Sequence, residues 1–215
     1  MEYDRFGSRV AGRFALFTST IGANYIARVG AGQSLADTGD FRNDGYQALI
    51  DLQNDVRAMI NEYEDTLVYG MVNESTTAFM QYLTHIASQV LNGLVIRLGG
   101  GGVLREADLL NRPAGALGAI LARRAAIPHH MARDSAGRAW QAEKLVTVMA
   151  RDFAYQAYIE HSLFTLQRAG DVHVDIVYAD STRNSTITIK DALARRATLF
   201  HPNSSARMQR HHVST

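Results

Sequence analysis

Leu49, Leu52, Val56, Met59, Tyr63 and Leu67 follow one another at alternating steps of three and four residues, with acids and amides between them. That spacing draws one narrow apolar stripe down a charged helix, starting from about Asn43. It spans only about three heptads, so it suits an antiparallel bundle helix as well as a coiled coil. Arg9 to Arg28 reads as an earlier helix, in which bulky Phe14, Leu16, Phe17, Ile21, Tyr25 and Ile26 alternate with small Ala11, Gly12, Ala15, Gly22, Ala23 and Ala27. Small residues at such spacing let a second helix approach closely. The stretch 29–40 between the two, rich in Gly, Ser and Asp, is a loop.

A different pattern begins at Ser75. The 22 residues to Ile96 contain no Asp, Glu, Lys or Arg, and as a helix they would extend about 33 Å, the thickness of a bilayer's hydrocarbon core. Gln81, Thr84, His85, Ser88, Gln89 and Asn92 recur on one face, with Phe79, Leu83, Ile86, Val90, Leu94 and Val95 mainly on the other. Two readings follow: a helix buried in a bundle or oligomer, or one lining a pore with its polar face inward. In the second, Leu83→Asp on the apolar face is expected to abolish membrane association.

Gly99, Gly100, Gly101 and Gly102 come directly after this helix, followed by Val103 and Leu104. A phosphate-binding loop needs a preceding strand and a Gly-Lys-Ser/Thr ending, and a dinucleotide loop needs spaced glycines after a strand. Neither context is present, so the run reads as a helix-ending hinge or tight reversal. Asn111 and Pro113 then start a short Ala- and Gly-rich helix that Pro128 ends. Asp134 to Ala169 reads as one more long helix, with Trp140, Leu145, Val148, Met149, Phe153, Tyr155, Ile159, Leu163 and Leu166 on a broad apolar face and Gly170 as its cap.

After residue 170 the period changes to two. Val172, Val174, Ile176 and Tyr178 alternate with Asp171, His173, Asp175 and Val177; turn residues follow, then Thr186, Ile187, Thr188 and Ile189. This is a β-hairpin, and a lone hairpin needs helices or a neighbour's sheet to pack on. A short helix near Asp191–Phe200 and an extended tail over 201–215 complete the chain. The expected fold is mainly α: a long-helix bundle over 1–170 with its glycine hinge at 99–102, then the hairpin and short helix over 171–200, then the tail.

Composition narrows what this fold does. With no cysteine there is no disulfide, thiolate catalysis or Cys-based metal site. The net charge of +1 predicts no strong global attraction to nucleic acid or anionic lipid. The charge is unevenly placed: Asp37–Asp65 holds eight acids against Arg42 and Arg57, while 99–138 and 171–215 are basic. Acidic middle and basic later segments are expected to pair, within one subunit or between neighbours. Lys144 and Lys190 are the only lysines among the 22 basic residues; arginine is the better bidentate partner for carboxylates at interfaces. Acids at Glu2 and Asp4, and the break at Thr18–Thr20, argue against a secretion signal at the start.

The candidate chemistry is sparse. His129–His130 and His211–His212 are adjacent pairs without the spacing of helical metal ligands, and no Glu-x-x-His occurs for a di-metal bundle. Glu62, Glu64 and Asp65 read as a solvated acidic face. His173 and Asp175 share a strand face and form the one acid–base couple in view, with no nucleophile beside it. Neither Gly-x-Ser-x-Gly nor Ser-x-x-Lys is present. No catalytic, cofactor or metal residues are assigned. Arg195, Arg196, Arg207 and Arg210 are candidate contacts to phosphates of packaged DNA, without sequence preference, or to a neighbouring subunit's acids.

The segment AGRFALFTSTIGANYIA, the charge-free helix of 75–96 and the GGGG break together resemble, in texture, the internal or ejection proteins of short-tailed phages. The resemblance covers about residues 9–170 and leaves the hairpin unexplained. It implies a non-enzymatic structural protein that forms homo-oligomers, a ring being one closed form, contacts other virion proteins, and builds a conduit for DNA delivery. Its place would be the virion, with membrane contact in the host envelope after delivery. The alternatives are a head–tail connector or tail-tube protein, whose hairpin supplies edge strands to neighbours, and a soluble helical enzyme or binding module of the cytoplasm.

Overall fold

The computed structural model describes residues 2–30, 38–67, 73–99, 130–178, 184–200 and 206–211. Four long helices dominate: α1 (Glu2–Gly30), α2 (Thr38–Glu64), α3 (Asn73–Gly99) and α4 (Ala142–Arg168). Cross-helix pairs fix their directions. Arg9 meets Glu62 and Arg28 meets Asp44, so α2 runs opposite to α1. Gln53 meets Thr84, and the methylene of Gly45 faces Leu91, so α3 reverses again. Asp4 meets Arg151 and Thr18 meets Glu143, which sets α4 against α1. The result is an up-down-up-down bundle with α1 and α4 in the most extensive contact. A small antiparallel sheet lies at its C-terminal side, as the sequence pattern predicts.

The bundle core comes from the predicted stripes. Leu49, Leu52, Val56, Met59 and Tyr63 of α2 and Phe79, Leu83, Ile86, Val90, Leu94 and Val95 of α3 are all buried. On α1 the bulky row Phe6, Val10, Phe14, Phe17, Ile21 and Tyr25 packs inward. Of the small residues expected to bring a helix close, the two glycines do not do so. Gly12 has nothing within 4 Å of an added methyl, and at Gly22 only His130 comes that near. The close approach is at Gly7, where a methyl would stand 3.2 Å from the Arg151 Cα. α1 also starts earlier than expected, because Phe6 and Val10 extend the Phe14 row by whole turns.

Gly45 and Gly93 give a paired prediction. An alanine methyl at Gly45 would lie 2.2 Å from Cδ1 and 3.1 Å from Cγ of the buried Leu91. Overpacking of about 1–3 kcal/mol then outweighs the gain of about 1 kcal/mol in helix propensity. At Gly93, exposed and with nothing within 4 Å, the propensity gain stands alone. Gly45→Ala should lower the melting temperature and Gly93→Ala raise it; two shifts of equal size and sign would refute this packing.

Three expectations need correction. The helix expected from Asp134 begins at Ala142, because the chain first forms a hairpin of β1 (Met131–Arg133) and β2 (Ala139–Gln141). Its turn is built around Asp134, whose carboxylate accepts from the backbone N–H of Ala136 and Arg138, the Arg138 Nε and the Trp140 Nε1. Gly137 closes it at φ +77°. The second correction is to the C-terminal hairpin. β3 (His173–Val177) pairs with β4 (Ser185–Thr188) as expected, but also with β5 (Arg207–Arg210), so part of the supposed tail is a third strand. The third concerns the short helix, which is two: α5 (Ile189–Ala194), capped by the Thr188 hydroxyl, and α6 (Arg196–Leu199). Gly99 closes α3; Gly100, Gly101, Gly102, the expected helix after Asn111 and most of the tail lie outside the described residues.

A second core forms where the sheet meets the last turns of α4. Val174 and Ile176 of β3 pack with Tyr155, Ile159 and Leu163 of α4, Ile189 and Ala192 of α5, Phe200 and Ala206. Gln156 of α4 donates to the Phe200 carbonyl. α4 therefore belongs to both cores.

The Asp134 turn carries a pH prediction. Burial raises the Asp134 carboxyl, but its hydrogen bonds from Arg138 and Trp140 outweigh this and hold it below the ordinary aspartate range. A lowered folded pKa contributes stability above the unfolded value of about 4, lost as pH falls through the folded value. Trp140 is the only tryptophan, so its emission should stay constant down to about pH 4, change below it, and lose that inflection in Asp134→Asn. An inflection of the wild type at or above the ordinary aspartate range would contradict the geometry.

Candidate functional site

Two exposed regions gather the residues singled out in the sequence. The first is the outer face of α2 and α3. Every fourth or third residue of α3 from Thr77 through Gln81, His85, Ser88 and Asn92 to Ile96 lies on one side; Ser88 is half-buried and the others are exposed. The face is about 29 Å long and carries no charge. The predicted polar face does not act as a unit, however. Thr84 turns toward α2 and accepts from Gln53 Nε2 at 2.7 Å. Gln89 grips β1, accepting from the Arg133 N–H at 2.8 Å and donating to its carbonyl. Gln81, His85, Ser88 and Asn92 remain on the outer side.

α2 continues this surface. Tyr46, Ile50, Gln53 and Arg57 recur at steps of four and three, with Tyr46 and Ile50 both nearly half exposed. Asp44, Asp55 and Glu62 sit on the other flank, whereas Glu64, seven residues on from Arg57, continues the Tyr46 side. Glu62 pairs with Arg9 at 2.6 Å, Asp55 with Arg13 at 3.7 Å, and Asp44 with Arg28 at 2.7 Å. Three acids of the acidic middle thus pair with α1, the helix that folds directly against it. Hydrogen bonds from Asn24 and Arg28 hold the Asp44 carboxyl below its ordinary value, and Arg9 does the same for Glu62. Between α2 and α3 runs an open groove of about 680 Å³ whose described lining includes Gln53, Asn61, Thr77, Met80 and Gln81, with Arg57 as its only charge.

The second region is the outer face of the three-stranded sheet. His173 and Asp175, expected as a couple, are on that face but do not bond each other. Asp175 instead meets His211, Nδ1 to Oδ1 at 2.9 Å, and accepts from the Thr186 hydroxyl at 2.6 Å. The rings of His173 and His211 stand 6.0 Å apart, edge to face. The pairing joins residues 36 apart, and β5 is what brings them together. The arrangement can orient one imidazole nitrogen, but among the described residues it holds no group of three metal-ligating side chains.

The four arginines separate. Arg210 pairs with Asp171 at 2.9 Å, and Arg196 approaches Glu160 at 3.7 Å while donating to the Leu193 carbonyl. Arg207 lies on the edge strand and donates to the Ala206 carbonyl. Arg195, exposed, links α5 and α6.

Among the described residues, no helix is long and apolar enough to cross a membrane. Comparison with protein-family models, with curated proteins and with solved structures finds no match for this chain.

Proposed function

We propose that the protein is a structural subunit of a homo-oligomeric assembly, and that the outer face of α2 and α3 is where subunits meet. One observation carries this reading: a helix face of about 29 Å that is exposed yet wholly uncharged, beside exposed Tyr46 and Ile50. Exposed helix faces in water are ordinarily charged, as the α1-facing flank of α2 is here. Interfaces are depleted of charge at their centre and enriched in tyrosine.

The setting that suits such a subunit best is a phage virion, as an internal or ejection protein that assembles a conduit for DNA. The apolar face of α3 is core, so the lumen would be walled by intact bundles with Gln81, His85, Ser88 and Asn92 toward the interior, rather than by single helices against lipid. A head–tail connector or tail-tube role is the second reading. It draws on β4, a sheet edge without charge or proline that is open to a neighbour's strand.

The test is absolute mass by light scattering after size exclusion. Wild type should run as a discrete oligomer, and Ile50→Glu should reduce it to the 23.7 kDa monomer with its helical circular dichroism intact. A wild type that stays monomeric at high concentration, or an oligomer indifferent to Ile50→Glu and Asn92→Lys alike, would sink this interface.

A further inference from the structure

A separate cavity opens at the end of the bundle where α1 begins and α2 ends. It encloses about 320 Å³ and shares no described lining residue with the α2–α3 groove. Tyr3, Tyr63 and Tyr158 are three of its described lining residues, beside Glu2, Thr66, Leu67 and His161. The size is at the small end of ligand-binding sites.

The rings are held in place. The Tyr63 hydroxyl donates to the Ala154 carbonyl at 2.8 Å, which fixes that ring against the bundle core. Tyr3 sits between Tyr155, edge-on at 5.0 Å, and Tyr158, tilted at 5.9 Å. Burial pushes the Tyr63 hydroxyl well above its ordinary pKa, and the Glu2 carboxylate adds to the rise. The Tyr3 hydroxyl is raised as well, by burial first and by Asp4 next, with Arg151 and Arg207 opposing the rise.

This combination selects by chemistry. Aromatic faces carry negative quadrupole potential and favour a cation that also brings apolar surface. A carboxylate at the wall opposes anions. A bare metal ion prefers several oxygen ligands, whereas Glu2 is the one carboxylate among the described lining residues. We propose that the cavity binds a small organic ammonium ion, with its alkyl groups against Tyr3, Tyr63 and Tyr158 and its charge balanced by Glu2.

The test uses choline chloride as probe on the full chain, followed by calorimetry or by amide shifts in NMR, with sodium chloride matching the ionic strength. The control is 3,3-dimethylbutan-1-ol, which has carbon in place of the nitrogen and no charge. Choline should bind saturably and at least about five-fold more tightly than the alcohol, the factor expected for about 1 kcal/mol of cation–aromatic attraction. Glu2→Gln should weaken choline while leaving the alcohol's affinity unchanged. Tyr158→Leu, at a site 44% exposed and so tolerant of change, should weaken choline more than the alcohol. The proposal is overturned if the alcohol binds as well as choline, if choline does not saturate, or if Glu2→Gln leaves choline's affinity as it was.

Discussion

Leu83→Asp is expected to unfold the bundle. Leu83 is fully buried, on the inward face of α3 between Phe79 and Ile86, which are also core residues. The described core around it is apolar and supplies no cation to pair with a carboxylate. Aspartate there either stays charged without a partner or binds a proton, and it loses the packing of the leucine in both cases. The cost is about 4–5 kcal/mol or more, comparable with the whole stability of a modest domain. Urea denaturation followed by circular dichroism should show a collapse in the midpoint, or no folded baseline. Folded protein with a midpoint near wild type would mean that α3 is not oriented as described. The same substitution therefore cannot report on membrane contact, the use the sequence pattern suggests for it: a loss of lipid binding would follow from unfolding alone. His85, on the opposite and exposed face, is the position from which contact at the outer surface can be probed without disturbing the core.

Phe200→Ala should release the sheet while the bundle persists. Phe200 is fully buried at the centre of the smaller core, and its carbonyl is the acceptor for Gln156 of α4. Truncating a buried phenylalanine costs about 3–5 kcal/mol. That core has nine buried residues, against a far larger set in the bundle, so it has less to lose before opening. Hydrogen exchange should show protection falling in β3, β4 and β5 while amides of α1, α2 and α3 keep theirs. A uniform loss of protection across all elements would show instead that the two cores open together.

The sequence carried the bundle well because its signal is local and repeated. Leu49, Leu52, Val56, Met59 and Tyr63 mark the buried side of α2 without any knowledge of partners, and Phe79 to Val95 do the same for α3. The elements that escaped are those fixed by distant contacts. β5 reads as polar tail because Arg207, Met208, Gln209 and Arg210 have no alternation to speak of; pairing with β3 makes them a strand. The β1–β2 hairpin is hidden for another reason. Its strands are three residues each, too short for a period, although Asp134 and Gly137 at the two ends of a four-residue turn were signal enough.

The candidate surfaces are legible only in part. The uncharged side of α3 is visible as letters, but the division of its polar residues is not: Thr84 and Gln89 are spent on internal contacts that depend on where α2 and β1 lie. Asp175 and His173 were paired by proximity in sequence, whereas the sheet register favours His211. The tyrosine cavity left no local trace, since Tyr3, Tyr63 and Tyr158 come from three helices, with Tyr3 in a segment whose helix was expected to start later.

α4 runs for 27 residues with neither glycine nor proline, about 40 Å of continuous helix. Its first turns are clasped by the bundle and its last turns by the sheet. In mechanical terms it is a strut without an elastic joint. A pull on β5 or a push on β4 would be passed along it as a tilt of the rod, against the tight crossing of Gly7 over Arg151. Neighbouring subunits that grasp the sheet would thereby hold one another's bundles in a common orientation.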